Sequence, residues 1–148
     1  IQQKQANRKL EQYGARWIEN QKQEAYEIQG TKKNSEDVIQ ECLRYIHNHL
    51  EDTELSVNQL ADQCHMNAIY LNRIFRKEKE TSIGQYIIQE RMHLAARLLL
   101  DSGLTAHTVA EKVGYLNYPY FSTAFKKFYG CSPQKYVERQ EDSHENKD

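Results

Sequence analysis

The sequence predicts an all-α fold: two helix–turn–helix subdomains joined by a long linker helix and preceded by an N-terminal coil-like helix. Three observations carry this expectation. One block of the chain occurs twice, over roughly thirty positions. Between turn signals, apolar residues recur at spacings of three and four. Gly numbers 6 and Pro 2 among 148 residues, too few for the turns of an all-β fold. Hydrophobic residues make up 39% and charged residues 28%, and the apolar ones cluster, so a small core is feasible.

The first segment, 1–35, reads as a helical linker. Ala6, Leu10, Tyr13 and Trp17 form a short seam over 1–28 that suits a dimerising coil. A polar stretch from Gly30 to Asn34 follows. Ser35 then precedes the acidic pair Glu36 and Asp37, a helix start, and Val38, Ile39, Cys42, Leu43, Ile46 and Leu50 follow at helical spacing.

The repeat begins at Leu55-Ser56-Val57-Asn58-Gln59-Leu60-Ala61-Asp62. It returns 49 residues later as Leu104-Thr105-Ala106-His107-Thr108-Val109-Ala110-Glu111. One inserted residue makes the offset 50 from there: Tyr70-Leu71 becomes Tyr120-Phe121, Phe75-Arg76-Lys77 becomes Phe125-Lys126-Lys127, and Tyr86 becomes Tyr136. Ser56 and Thr105 are N-cap types. Each opens a short helix with one apolar side, ended by a sharp turn. Gly114 suits the left-handed conformation such a turn requires. Asn67 and Asn117 then cap a second helix. This places the first motif at 55–79, the linker helix at 82–102 and the second motif at 104–129, all within a domain spanning 36–139. Ile83, Tyr86, Ile87, Leu94, Ala95, Leu98 and Leu99 should face inward on the linker helix. Gly103 should end it. Tyr115, Tyr120 and Tyr136 fall at apolar positions of the repeat and read as core. The acidic tail 140–148 has no apolar face and should be disordered.

The second helix of such a motif is the one that enters a DNA groove. With Leu71, Ile74 and Phe75 inward, its outer face in the first copy carries Ile69, Asn72, Arg73 and Arg76. Arg pairs bidentately with guanine and Asn with adenine, and an apolar residue meets the thymine methyl. In the second copy the same register gives Pro119, Ser122, Thr123 and Lys126, with Ser and Thr the less selective readers. Ser56, Lys77, Lys79, Thr105, Tyr118, Lys126 and Lys127 are the candidate phosphate contacts. The expected result is an asymmetric reader: the first unit specifies and the second anchors. A linker helix of about 20 residues is about 30 Å long. That compares with about 34 Å for a turn of B-DNA, so one chain can span two unlike half-sites in successive major grooves. Overall charge gives little support, since the net charge is −1. It is +3 over 1–35, −1 over 36–139 and −3 over 140–148.

These residues resemble the AraC/XylS family of bacterial transcription regulators over about 36–139. The strongest stretch runs from Ala110-Glu111-Lys112-Val113-Gly114-Tyr115 through Tyr120-Phe121-Ser122-Thr123-Ala124-Phe125-Lys126-Lys127 to Gly130-Cys131-Ser132-Pro133 and Tyr136. Gln89-Glu90-Arg91-Met92-His93-Leu94-Ala95 resembles the family's linker helix. Thr123 stands where the family commonly has a basic residue, and Val137 where an Arg follows the Tyr. The resemblance implies seven helices, two helix–turn–helix motifs, double-stranded DNA and RNA polymerase as partners, transcription activation, and a sensing domain upstream. The stretch 1–28 suits a receiver-type or helical sensor and a homodimer.

Other chemistries find little purchase. Cys42, Cys64 and Cys131, with the histidines, lack the spacing of a structural zinc site. Cys42 and Cys64 read as small buried hydrophobes. No phosphate loop, nucleophile motif or carboxylate pair appears, so neither cofactor nor enzymatic activity is expected. No apolar run is long enough to span a membrane. The cysteine usage suits a reducing, intracellular compartment, and the DNA-binding reading implies a cytoplasmic location on the nucleoid. The competing reading is a degenerate double motif that serves protein–protein interaction.

Overall fold

The computed structural model describes residues 34–147 apart from Ser102, with side chains as far as Asp142. The coil reading of 1–28 lies outside the described residues. Among those described, all regular structure is helical: α1 Ser35–Asn48, α2 Val57–Cys64, α3 Ala68–Lys79, α4 Ile83–Asp101, α5 Ala106–Lys112, α6 Tyr118–Tyr129 and α7 Pro133–Lys147. The chain divides into two compact units. One holds the residues up to Leu43 with Leu60–Ser82, and the other holds Arg44–Gln59 with the residues from Ile83 on.

In the first unit, Val38, Ile39 and Cys42 of α1, Leu60 and Ala61 of α2, and Tyr70, Leu71, Ile74 and Phe75 of α3 are buried. The Cys42 and Cys64 sulfurs lie 3.9 Å apart, in contact but not bridged by a disulfide. The Cys64 contact, and then burial, push the Cys42 pKa far above the ordinary thiol range, so it behaves as a neutral apolar group at pH 7.

The second unit has a continuous core. Met92, Ala95 and Leu99 of α4 meet Val109, Ala110 and Val113 at α5, and Phe121 and Phe125 of α6 close it. Tyr136 of α7 stands edge-on to Phe125, with centroids 5.5 Å apart. The Tyr129 hydroxyl donates to the Met92 carbonyl at 3.1 Å. Aromatic rings joined this way stabilise beyond the area they bury, by about 0.5–1.5 kcal/mol a pair.

The two turns are built alike, down to single hydrogen bonds. Met66 N–H donates to Ala61 O at 2.9 Å, and Tyr115 N–H donates to Ala110 O at 2.9 Å. The residue before each is left-handed: His65 with φ 56° and Gly114 with φ 91°. Asn67 Oδ1 then accepts from Tyr70 N–H at 3.0 Å, and Asn117 Oδ1 from Tyr120 N–H at 3.2 Å. Both second helices end left-handed as well, at Glu80 with φ 62° and Gly130 with φ 83°. Glycine takes this conformation freely, whereas His65 and Glu80 bear a steric cost there. His65→Gly and Glu80→Gly are each expected to raise stability by about 0.5–1 kcal/mol. Urea denaturation of each variant measures this, and an unchanged or lower midpoint would refute it.

Four expectations differ from the structure. Tyr120 is 71% exposed rather than part of the core, because its neighbours one turn on, Thr123 and Ala124, are too small to cover it. On α4, Tyr86, Leu94 and Leu98 are only half-buried, while Arg91 and Met92 lie inside. That helix runs Ile83–Asp101, starting one residue later than expected. Finally, 140–147 continue α7 rather than forming a separate tail. Once Tyr136 and Val137 dock against the core, the costly nucleation step is complete. Each further turn then adds hydrogen bonds without a new nucleus.

Candidate nucleic-acid interface

Asn67 starts α3 and the apolar row Leu71, Ile74 and Phe75 fixes its rotation. The opposite face therefore presents Ile69 (55% exposed), Asn72 (half-buried), and Arg73 and Arg76 (both exposed). The structure brings these four expected residues onto one face. The Arg73 guanidinium carbon lies 5.0 Å from the Tyr70 ring centroid, a cation–π contact that holds the head group against the helix. Arg76, Lys77 and Lys79 crowd the last turn, where cations also complement the helix dipole.

In the second unit, Phe121 and Phe125 fix the rotation of α6. Pro119, Thr123 and Lys126 are exposed and Ser122 is half-buried, again on one face, with Lys127 exposed beside them. The remaining expected phosphate contacts have structural work. Ser56 Oγ accepts from Gln59 N–H at 3.2 Å. Thr105 Oγ1 accepts from Thr108 N–H at 3.2 Å and donates to Thr108 Oγ1 at 3.0 Å. Tyr118 is half-buried and stacked on His107, with centroids 4.1 Å apart and planes at 17°.

Two features of this region went unread in the sequence. Leu116, in the turn before α6, is 87% exposed. It is the inserted residue of the second copy, and the one-residue change of offset was the available signal. Tyr120, Ala124 and Phe128 of α6 and Ile88 of α4 line an open groove of about 610 Å³, with Thr123 and Lys127 also bordering it. The equivalent face of α3, formed by Tyr70, Arg73, Ile74 and Lys77, has only a hollow of about 170 Å³.

Inside the second unit, Arg91 is 9% exposed and acts as a clamp. Its Nε donates to the Leu50 carbonyl at 3.2 Å and its Nη2 to the Asp52 carbonyl at 2.7 Å. Burial pushes its pKa down, while Tyr115 and Asp52 push it back up. The Asp52 carboxylate accepts from Glu54 N–H and the Gln59 side-chain amide, which hold its pKa below the ordinary value. Among the described residues, no group of three or more His, Cys, Asp or Glu side chains could hold a metal ion. No described helix is long and apolar enough to cross a membrane.

Paired helix–turn–helix units, each presenting a polar outer face on its second helix, define a class of nucleic-acid-binding domain. Residues 60–139 match the helix-turn-helix domain family model. The C-terminal domain of AraT, a response regulator from Geobacillus stearothermophilus, is 35% identical with a TM-score of 0.68, covering 69% of this chain and 84% of that one. The DNA-binding domain of AdpA, solved in complex with a target DNA, is 26% identical with a TM-score of 0.65, covering 68% and 90%. The Msm operon regulatory protein of Streptococcus mutans is 30% identical over 109 residues, 74% of this chain and 39% of its own length. The chain belongs to the AraC/XylS family of helix–turn–helix transcription regulators. It spans between 13% and 45% of the length of the curated relatives it matches.

Proposed function

We propose that the chain is the sequence-specific DNA-reading domain of a larger transcription regulator. The carrying observation is the outer face of α3, with half-buried Asn72 and exposed Arg73 and Arg76, at the register of the Ser122, Thr123 and Lys126 face of α6. Asn72 and Arg73 have the chemistry to read adenine and guanine edges in a major groove. Arg76, Lys77, Lys79, Lys126 and Lys127 hold phosphates. Ser56, Thr105 and Tyr118 assist from the motif starts, where their own hydrogen bonds and stacking keep them in place. Two such motifs in one chain suit two half-sites about one helical turn apart. An upstream receiver is supported by the likeness to a response-regulator domain. Activation beside RNA polymerase and a place in the cytoplasm accompany this reading. One relative, AdaA of Bacillus subtilis, is a bifunctional activator and DNA repair enzyme, 36% identical over 83 residues. We assign no reaction to the present chain.

Selection of bound duplexes from a random pool tests the reading. Two enriched blocks about 10 bp apart are expected. Arg73→Ala should weaken binding by about 1–3 kcal/mol and relax one base pair in one block. Equal weakening on every sequence would reduce Arg73 to a phosphate contact. No enrichment, with affinity insensitive to salt, would favour the protein-interaction alternative.

A further inference from the structure

The two units have diverged on matching faces. At the third position of each second helix stands a tyrosine, yet Tyr70 is 4% exposed and Tyr120 is 71% exposed. The substitutions between the copies explain the difference. Arg73, whose guanidinium covers the Tyr70 ring, is replaced by Thr123, and Ile74 by Ala124. The inserted Leu116 adds a second uncovered apolar side chain. These two are the most exposed large hydrophobic residues among those described. They lie in the turn and the first helical turn of α6, the end that approaches base edges in a motif of this kind.

A major groove offers hydrogen-bonding edges and one apolar feature, the C5-methyl of thymine. Arg and Asn satisfy the first kind; α6 starts with no Arg, and its Asn117 spends its side-chain oxygen capping Tyr120 N–H. We propose that Leu116, Tyr120 and the Thr123 methyl read thymine methyl groups, so that the second half-site is rich in A·T pairs. The inference rests on the DNA-reading function proposed above and assigns its second half-site. It also revises the expected division of labour: the second unit specifies by apolar contact rather than only anchoring. Continuity with Pro119, Ser122 and Thr123 on the same helix favours DNA over a protein as the cover for this patch.

Deoxyuridine supplies the test, because it keeps every hydrogen-bonding group of thymine and lacks the methyl. In the selected duplex, the second unit's block is the one whose preference survives Arg73→Ala. Replacing its thymines by deoxyuridine should weaken binding of the unaltered chain about fourfold per contacted methyl, as read by fluorescence anisotropy. The doubly substituted Leu116→Ser, Tyr120→Ser chain should lose most of that discrimination, keeping only what the Thr123 methyl supplies. Both positions are exposed, so that chain should keep its circular dichroism spectrum. Equal binding of both duplexes by the unaltered chain, or a surviving block rich in G·C, overturns the inference while leaving the DNA-reading function intact. A double variant that changes only the oligomeric state in light scattering also overturns it, by assigning the patch to a protein contact. Failure of the unaltered chain to select any duplex overturns the DNA-reading function itself.

Discussion

Gly114→Ala is expected to cost about 2–5 kcal/mol of stability, a large fraction of the about 5–15 kcal/mol of an ordinary domain. Two effects combine. At φ 91° an L-residue sits in the left-handed region, at a cost of about 1–2 kcal/mol. The new methyl would also collide with the Leu50 carbonyl oxygen and come within 2.7 Å of the Arg91 guanidinium carbon. The first is backbone, and the second is held by two hydrogen bonds, so neither yields cheaply. Overpacking of this kind typically adds about 1–3 kcal/mol. Gly84 provides the control. It lies on the exposed side of α4 with open space around its Cα, so Gly84→Ala should stabilise by about 0.5–1 kcal/mol. Far-ultraviolet circular dichroism during urea denaturation of both variants measures the contrast. A Gly114→Ala loss below about 1 kcal/mol would show that the turn relaxes away from both neighbours.

The helix–turn–helix units were legible in the sequence because their signals are local. Asn67, Thr105 and Asn117 cap where their chemistry places them, and the repeat aligned the two second helices in register. The outer faces of α3 and α6 followed, since rotation of each helix is set by a handful of large apolar residues. Less legible was anything decided by contacts distant in sequence. His65 matches Gly114 in the repeat and Glu80 matches Gly130, but neither residue type announces a left-handed backbone. Tyr120 looked like core because its counterpart Tyr70 is core. The deciding residues are the smaller neighbours Thr123 and Ala124, visible only by comparing the copies position by position. Likewise 140–147 read as a tail when judged by composition alone, whereas docking of Tyr136 and Val137 decides that α7 has already nucleated there.

Arg91 was the least legible residue, since its partners are backbone carbonyls some forty positions away and backbone carries no side-chain signature. Its removal is the second large expected loss. Arg91→Met keeps an unbranched stem of similar length and deletes both donors. The Leu50 carbonyl would then lose a buried charge-assisted bond and the Asp52 carbonyl a partly buried one, each worth about 1.5–3 kcal/mol. Recovered desolvation of the guanidinium offsets part of that, leaving an expected net cost of about 2–4 kcal/mol. Arg91→Lys should rescue little, because one ammonium cannot reproduce the planar fork that reaches both oxygens. Amide hydrogen exchange over 49–56 should quicken in Arg91→Met more than elsewhere in the second unit, since this is the segment the clamp holds. The two large effects should also be coupled. With the guanidinium gone, the added methyl of Gly114→Ala keeps its clash with the Leu50 carbonyl but loses the one with Arg91. The double variant should therefore be less destabilised than the sum of the singles by about 1 kcal/mol or more. Strict additivity would mean that Arg91 already swings clear of Gly114, and that the clamp does not hold the turn.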